Sequence, residues 1–138
     1  MTPEAADYLE KARHDLDEAR KIAAIGLAKA AARSVYYAAF HAAEAFIVER
    51  TGKVAKSHSG VRSEFARLAK EAPQFDKAFT AFLSKAYKYK EIGDYGVGRS
   101  AIVNLDEAND VIERASIFLD AVTNALAARS SPSDSRPT

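Results

Sequence analysis

From Leu105 to Leu126 an apolar residue returns every third or fourth position: Leu105, Ala108, Ile112, Ala115, Leu119, Val122 and Leu126. Steps that alternate between three and four place all seven on one stripe of an α-helix, whereas a strand would scatter them over both faces. Ser100 or Asn104 can cap this helix, and Asp106 and Glu107 put negative charge in its first turn. A helix with one apolar stripe needs other helices to cover it. The chain must therefore supply them.

Four more helical segments precede it. Thr2 as N-cap, Pro3 at the first helical position and Glu4 behind it start the first, whose apolar stripe is Ala5, Leu9, Ala12, Leu16, Ala19 and Ala23. Gly26 ends it, and a second helix runs from about Leu27 to about Arg50, where "TGK" breaks it. Ser57 or Ser59 caps a short third helix bearing Val61, Phe65 and Leu68, with Pro73 as its stop. Phe75, Phe79, Phe82, Ala86 and Tyr89 mark a fourth, which is expected to give way to a loop at "IGDYGVG". No strand-like alternation and no internal repeat is visible. The expected fold is all-α, an antiparallel up-and-down bundle of four to five helices over residues 1–128, with a disordered proline- and serine-rich tail at 129–138.

Composition narrows what such a bundle can do. A chain of 138 residues suits one domain, and 48% hydrophobic with 28% charged residues gives it a core to bury. The net charge of +1 supplies no global field toward nucleic acid or acidic membrane, so any such binding must use a local patch. With no cysteine there is no disulfide, thiolate cage or cysteine nucleophile. No apolar run reaches the roughly 20 residues of a membrane span, and the amino terminus lacks a signal-peptide core. A cytoplasmic protein with no membrane association is expected.

The second helix departs from a plain core helix. In "ARSVYYAAFHAAEAFI", Arg33, Tyr37 and His41 step by four and Glu44 follows one turn later, all on one face. Ala32, Val35, Tyr36, Ala39, Ala42, Ala43 and Phe46 take the opposite arc, as packing residues. The polar stripe reads either as an exposed helix side, with Arg33 paired to Glu44 or to a carboxylate of another helix, or as the wall of a groove or dimer seam that binds phosphate, base or peptide. A metal is not expected: "HAAE" offers one histidine-carboxylate pair, and a di-iron type site needs matching carboxylates on other helices. No cofactor is expected either. Lys53, Lys56, Arg62, Arg67 and Lys70 form a second basic cluster that is either solvated surface or a phosphate track.

"AARSVYYAAFHAAEAFI", then "KSHSGVRSEF", then "GDYG" and a final helix opening "LDEA" resemble the HEPN domain superfamily (higher-eukaryote and prokaryote nucleotide-binding), in its small stand-alone prokaryotic branch of uncharacterised proteins. The resemblance implies a bundle that often dimerises and is tied to nucleotides or RNA. It also implies a nucleotidyltransferase partner in a two-gene, toxin-antitoxin-like module, and in several branches a metal-independent ribonuclease. Those ribonucleases pair an arginine with a histidine four to six residues on, one for the phosphate and one for proton transfer. Here Arg33 to His41 and Arg50 to His58 are too widely spaced, and "RSAIVNLD" carries Asn104 where the histidine would stand. Asparagine cannot shuttle a proton, and Asn104 reads better as a helix cap.

Carried over residue by residue, the resemblance makes Arg33, Tyr37, His41, His58, Arg62, Asp94 and Tyr95 candidate ligand-binding residues, with Asp94 and Tyr95 in a loop, and the shared polar face of the second helix adds Glu44. Three functions compete. One is a homodimeric, non-catalytic module that binds nucleotide or RNA. A second is a metal-independent endoribonuclease with His41 or His58 as acid/base and Arg33 or Arg62 on the phosphate. The third is a plain helical scaffold whose dimer seam includes Val111 and Phe118 on the outer side of the last helix.

Overall fold

The structure, a computed structural model, describes the backbone of residues 1–134 and the side chains up to residue 127, Ser100 excepted. Capping decides where most helices start. Thr2 accepts the Ala5 amide at 3.1 Å ahead of α1 (Pro3–Ala24). Ser57 accepts from Gly60 at 2.9 Å ahead of α3 (His58–Ala69), and Asp76 from Ala78 at 2.8 Å ahead of α4 (Lys77–Tyr95). Asn104 caps α5 (Leu105–Asp134), accepting the Glu107 amide at 2.8 Å. Each bond satisfies an amide that the helix itself leaves without a partner. α2 (Ala28–Thr51) follows a tight turn through Gly26 at φ +85° and closes on Gly52 at φ +73°, both in the left-handed region that favours glycine. A 3-10 turn, Gly98–Ala101, leads into α5.

The four long helices run up, down, up, down. Thr2 bonds Glu49 and Ser34 bonds the Asp15 carbonyl, which sets α1 antiparallel to α2. Arg33 meets Asp94 and Phe46 meets Phe75, which sets α4 antiparallel to α2. Tyr89 with Glu107 and Phe82 with Phe118 do the same for α4 and α5. α3 lies alongside α2 and parallel to it, His58 beside Phe40 and Phe65 beside Phe46.

α2 is the central helix and touches each of the other four. Its alanines make this possible: Ala31, Ala32, Ala38, Ala39, Ala42, Ala43 and Ala45 are fully buried, so neighbouring backbones approach from several sides. Tyr36 and Phe46 are fully buried among them, as packing residues should be.

Two expectations are corrected. Val111 and Phe118 are 5% and 1% exposed and belong to the core, because α4 packs over that side of α5; among the described residues the large apolar side chains that α5 leaves in solvent are Leu105 and Ile117. The "IGDY" segment is the last turn of α4 instead of a loop, so Asp94 and Tyr95 are helical. Gly93 is there for closeness: a Cβ on it would meet the Arg33 side chain at 2.8 to 3.2 Å. The tail expected to be disordered, 129–138, falls on α5's end and on positions outside the fully described residues. No helix among the described residues is long and apolar enough to cross a membrane.

Candidate functional site

Because Arg33, Tyr37 and His41 share one face of α2 and α1 packs beside it, the three line one open cleft of about 580 Å³. Lys11, Asp15 and Glu18 of α1 form the opposite wall. Arg33 is held in place there. Its Nε donates to Asp94 Oδ1 at 2.6 Å, its guanidinium lies 5.0 Å from the Tyr37 ring centre, and Lys90 shares the same carboxylate at 3.3 Å. The Arg33 hydrogen bond, with Lys90 beside it, holds the Asp94 carboxyl below its usual range.

His41 is bracketed by carboxylates. Nδ1 lies 2.6 Å from Glu44 Oε1, and Nε2 faces Asp15 Oδ2 at 3.6 Å. Burial raises the Asp15 pKa, with His41 opposing the shift. Glu44 does not line the cleft as its place on the polar face suggested. It is 7% exposed and sits behind His41, because α1 covers that part of α2.

His58 and Arg62 lie on the other flank of α2, against α4. Tyr36 OH is 2.7 Å from His58 Nδ1, and the imidazole is ringed by Phe40, Tyr37 and Tyr87 at 4.6, 6.2 and 5.9 Å between centres. Burial, aided by the positive charges of Lys90 and Arg62, lowers the His58 pKa, which keeps the ring neutral at pH 7. Arg62 stacks 4.0 Å over Tyr87, and its Nη1 is buried without a hydrogen-bond partner. Tyr37 joins the two flanks, its ring 6.3 Å from His41 and 6.2 Å from His58. Tyr95 is 72% exposed beside Lys90.

Sequence reasoning missed Asp15, Tyr87 and Lys90. Tyr87, Lys90 and Asp94 step by three and four, a spacing that extends α4 across the glycine taken for a breaker. Of the second basic cluster, Arg67 pairs with Glu64 and Lys53, Lys56 and Lys70 are exposed, so Arg62 alone enters the site. Among the described residues, ligand atoms of His14, Asp15 and Glu18 lie within 4.8 Å of one another, and His41 Nε2 lies 3.6 Å from Asp15 Oδ2 across the cleft.

Comparison with known proteins agrees with this architecture. The HEPN domain family model matches residues 5–125. A "UPF0332 protein" from Thermotoga maritima is 30% identical over 121 residues, covering 86% of this chain and 88% of that one. A "Putative toxin MJ0142" from Methanocaldococcus jannaschii is 24% identical over 117 residues, 85% of this chain and 78% of that one. Among solved structures, the crystal structure of TT1696 from Thermus thermophilus superimposes with a TM-score of 0.78 at 25% identity, over 90% of this chain and 99% of that one.

Proposed function

Because the chain belongs to the HEPN domain family, we propose that it is a nucleotide- or RNA-associated helical module that acts with a nucleotidyltransferase partner in a two-gene, toxin-antitoxin-like pair, as a cytoplasmic homodimer without nuclease activity of its own. The observation that carries the ligand class is the mixture of cations and rings along α2. Arg33 and Lys90 share the single carboxylate of Asp94, and Arg62 has no carboxylate partner among the described residues. On the α4 side of α2 the cations Arg33, Lys90 and Arg62 thus outnumber the carboxylate of Asp94, and a base on Tyr37, Phe40 or Tyr87 with its phosphate on a neighbouring guanidinium suits that arrangement. The relative named as a toxin supports the two-gene reading.

The absence of chemistry is supported by how the histidines are held. His41 has a carboxylate against each ring nitrogen, His58 meets the Tyr36 hydroxyl through Nδ1, and Tyr37 and Phe40 stand between the two imidazoles. Asn104 is occupied as the α5 cap. The ribonuclease reading keeps one observation in its favour, the neutral imidazole of His58 beside the cation Arg62.

End-labelled total RNA incubated with the protein in EDTA decides between them. The proposal expects intact RNA, together with binding of a fluorescent oligoribonucleotide that Arg33→Ala and Arg62→Ala weaken. Cleavage abolished by His58→Ala would make the protein a ribonuclease, and absence of binding would remove the RNA reading.

A further inference from the structure

The wall of the cleft formed by α1 carries a second chemistry that the ring-and-cation arrangement does not use. Glu44 is an acceptor, so the 2.6 Å contact makes His41 Nδ1 the donor and leaves Nε2 as the nitrogen that faces the cleft. Nε2 meets Asp15 Oδ2 at 3.6 Å, too far for a charge-assisted hydrogen bond, which closes to about 2.7–2.9 Å. That same Asp15 oxygen is buried and has no hydrogen-bond partner. When the imidazole is neutral, its Nε2 lone pair and this carboxylate oxygen face each other across the cleft. Two ligands of one tetrahedral ion, each about 2.0–2.1 Å from it, stand roughly 3.3 Å apart. The observed separation is near that value.

Two further donors stand on the same part of α1. His14 and Glu18 are one helical turn apart, on either side of Asp15, and their ligand atoms lie within 4.8 Å of one another and of Asp15's. Both are exposed, 71% and 51% at the side chain, so they can swing without disturbing packing. Glu44 behind His41 repeats the carboxylate–histidine–metal arrangement, in which the outer carboxylate fixes the tautomer and raises ligand basicity.

We propose that His41 Nε2 and Asp15, completed by Glu18 and His14, form a binding site for one divalent transition-metal ion of the zinc class in the cleft between α1 and α2. The mixed nitrogen and oxygen donor set favours Zn²⁺ or Co²⁺ over Mg²⁺, which prefers oxygen alone and retains its waters. The missing carboxylates that made a metal unexpected from "HAAE" come from α1. The site shares its cleft with Arg33 and Tyr37, but metal uptake is measured without RNA, so failure of one reading is distinguishable from failure of the other.

The test uses the full-length protein after EDTA treatment and dialysis, titrated calorimetrically with Zn²⁺ and followed by the visible absorption of bound Co²⁺. One equivalent per chain is expected, with little response to Mg²⁺. His41→Gln and Asp15→Asn should abolish the site, Glu44→Gln should weaken it about 10- to 100-fold, and His58→Gln should leave it intact. No uptake of Zn²⁺ overturns the proposal, and so does uptake that His41→Gln and Asp15→Asn leave unchanged. Should those buried variants fail to fold, the exposed Glu18→Gln decides: weaker binding supports the site and unchanged binding overturns it.

Discussion

Replacing Gly93 by alanine should destabilise the protein, although helix propensity alone forecasts the opposite. Gly93 lies inside α4 with no positive φ, so alanine would gain up to about 1 kcal/mol on propensity. Against that, the new Cβ would meet Arg33 Cδ at 2.8 Å, Cβ at 3.1 Å and Cγ at 3.2 Å. The Arg33 Cβ is fixed to the α2 backbone and cannot swing away, and its Cδ cannot move without breaking the 2.6 Å bond from Nε to Asp94. Overpacking of this kind costs about 1–3 kcal/mol. With the full propensity gain set against it, the net expectation is a loss of up to about 2 kcal/mol, or up to roughly 8 °C in Tm for a domain of this length. Urea unfolding followed by circular dichroism measures it, with Arg33→Ala as the second background. There the contacts to Cγ and Cδ vanish, and the penalty for alanine at 93 should shrink by at least half or change sign. A wild-type background stabilised by Gly93→Ala would refute the picture of Arg33 held rigidly between Asp94 and Tyr37.

Phe46→Ala removes a fully buried ring that packs edge-on against Phe65 and Phe75, and should cost about 3–5 kcal/mol in the same assay. Asn104→Ala should cost about 1 kcal/mol by leaving the Glu107 amide uncapped, whereas Asn104→Asp should cost little; an Asn104→Ala variant of unchanged stability would contradict the cap. Tyr36→Phe leaves a partly buried His58 nitrogen without its partner and should lose about 1–3 kcal/mol without changing helix content. His58 also sets a pH dependence. Its folded pKa lies below the ordinary 6.5, so on acidification the unfolded chain takes up the proton first. The His58 contribution is therefore complete above about pH 6.5 and is lost below it until the folded ring protonates, with a slope of at most about 1.4 kcal/mol per pH unit. Urea midpoints of wild type and His58→Gln should diverge at high pH and converge between pH 7 and 5.

Much of this architecture was legible because helical periodicity and capping are local. Thr2, Ser57 and Asn104 were identifiable as caps from their chemistry and position, and Arg33, Tyr37 and His41 as cleft neighbours from their four-residue steps. What escaped depended on pairing between helices. Gly93 looked like a breaker because sequence does not show that Arg33 lies across it. Val111 and Phe118 looked outward because nothing in the α5 pattern reveals that α4 covers that side. Asp15 went unnoticed because an acid in a charged first helix is unremarkable until α2 places His41 opposite it. Glu44 had the right face by angle but the wrong exposure, since burial depends on where α1 crosses.

The central position of α2 also has a kinetic meaning. Every other helix packs against it, so none of its mid-helix amides can meet solvent through the fraying of one neighbour alone. Deuterium uptake at Ala38 to Val48 should then report complete unfolding, whereas the outer turns of α3 and the α4–α5 connection exchange through small local openings. A protease or chaperone would therefore meet either the whole bundle or an open chain, with no long-lived half-assembled form between them.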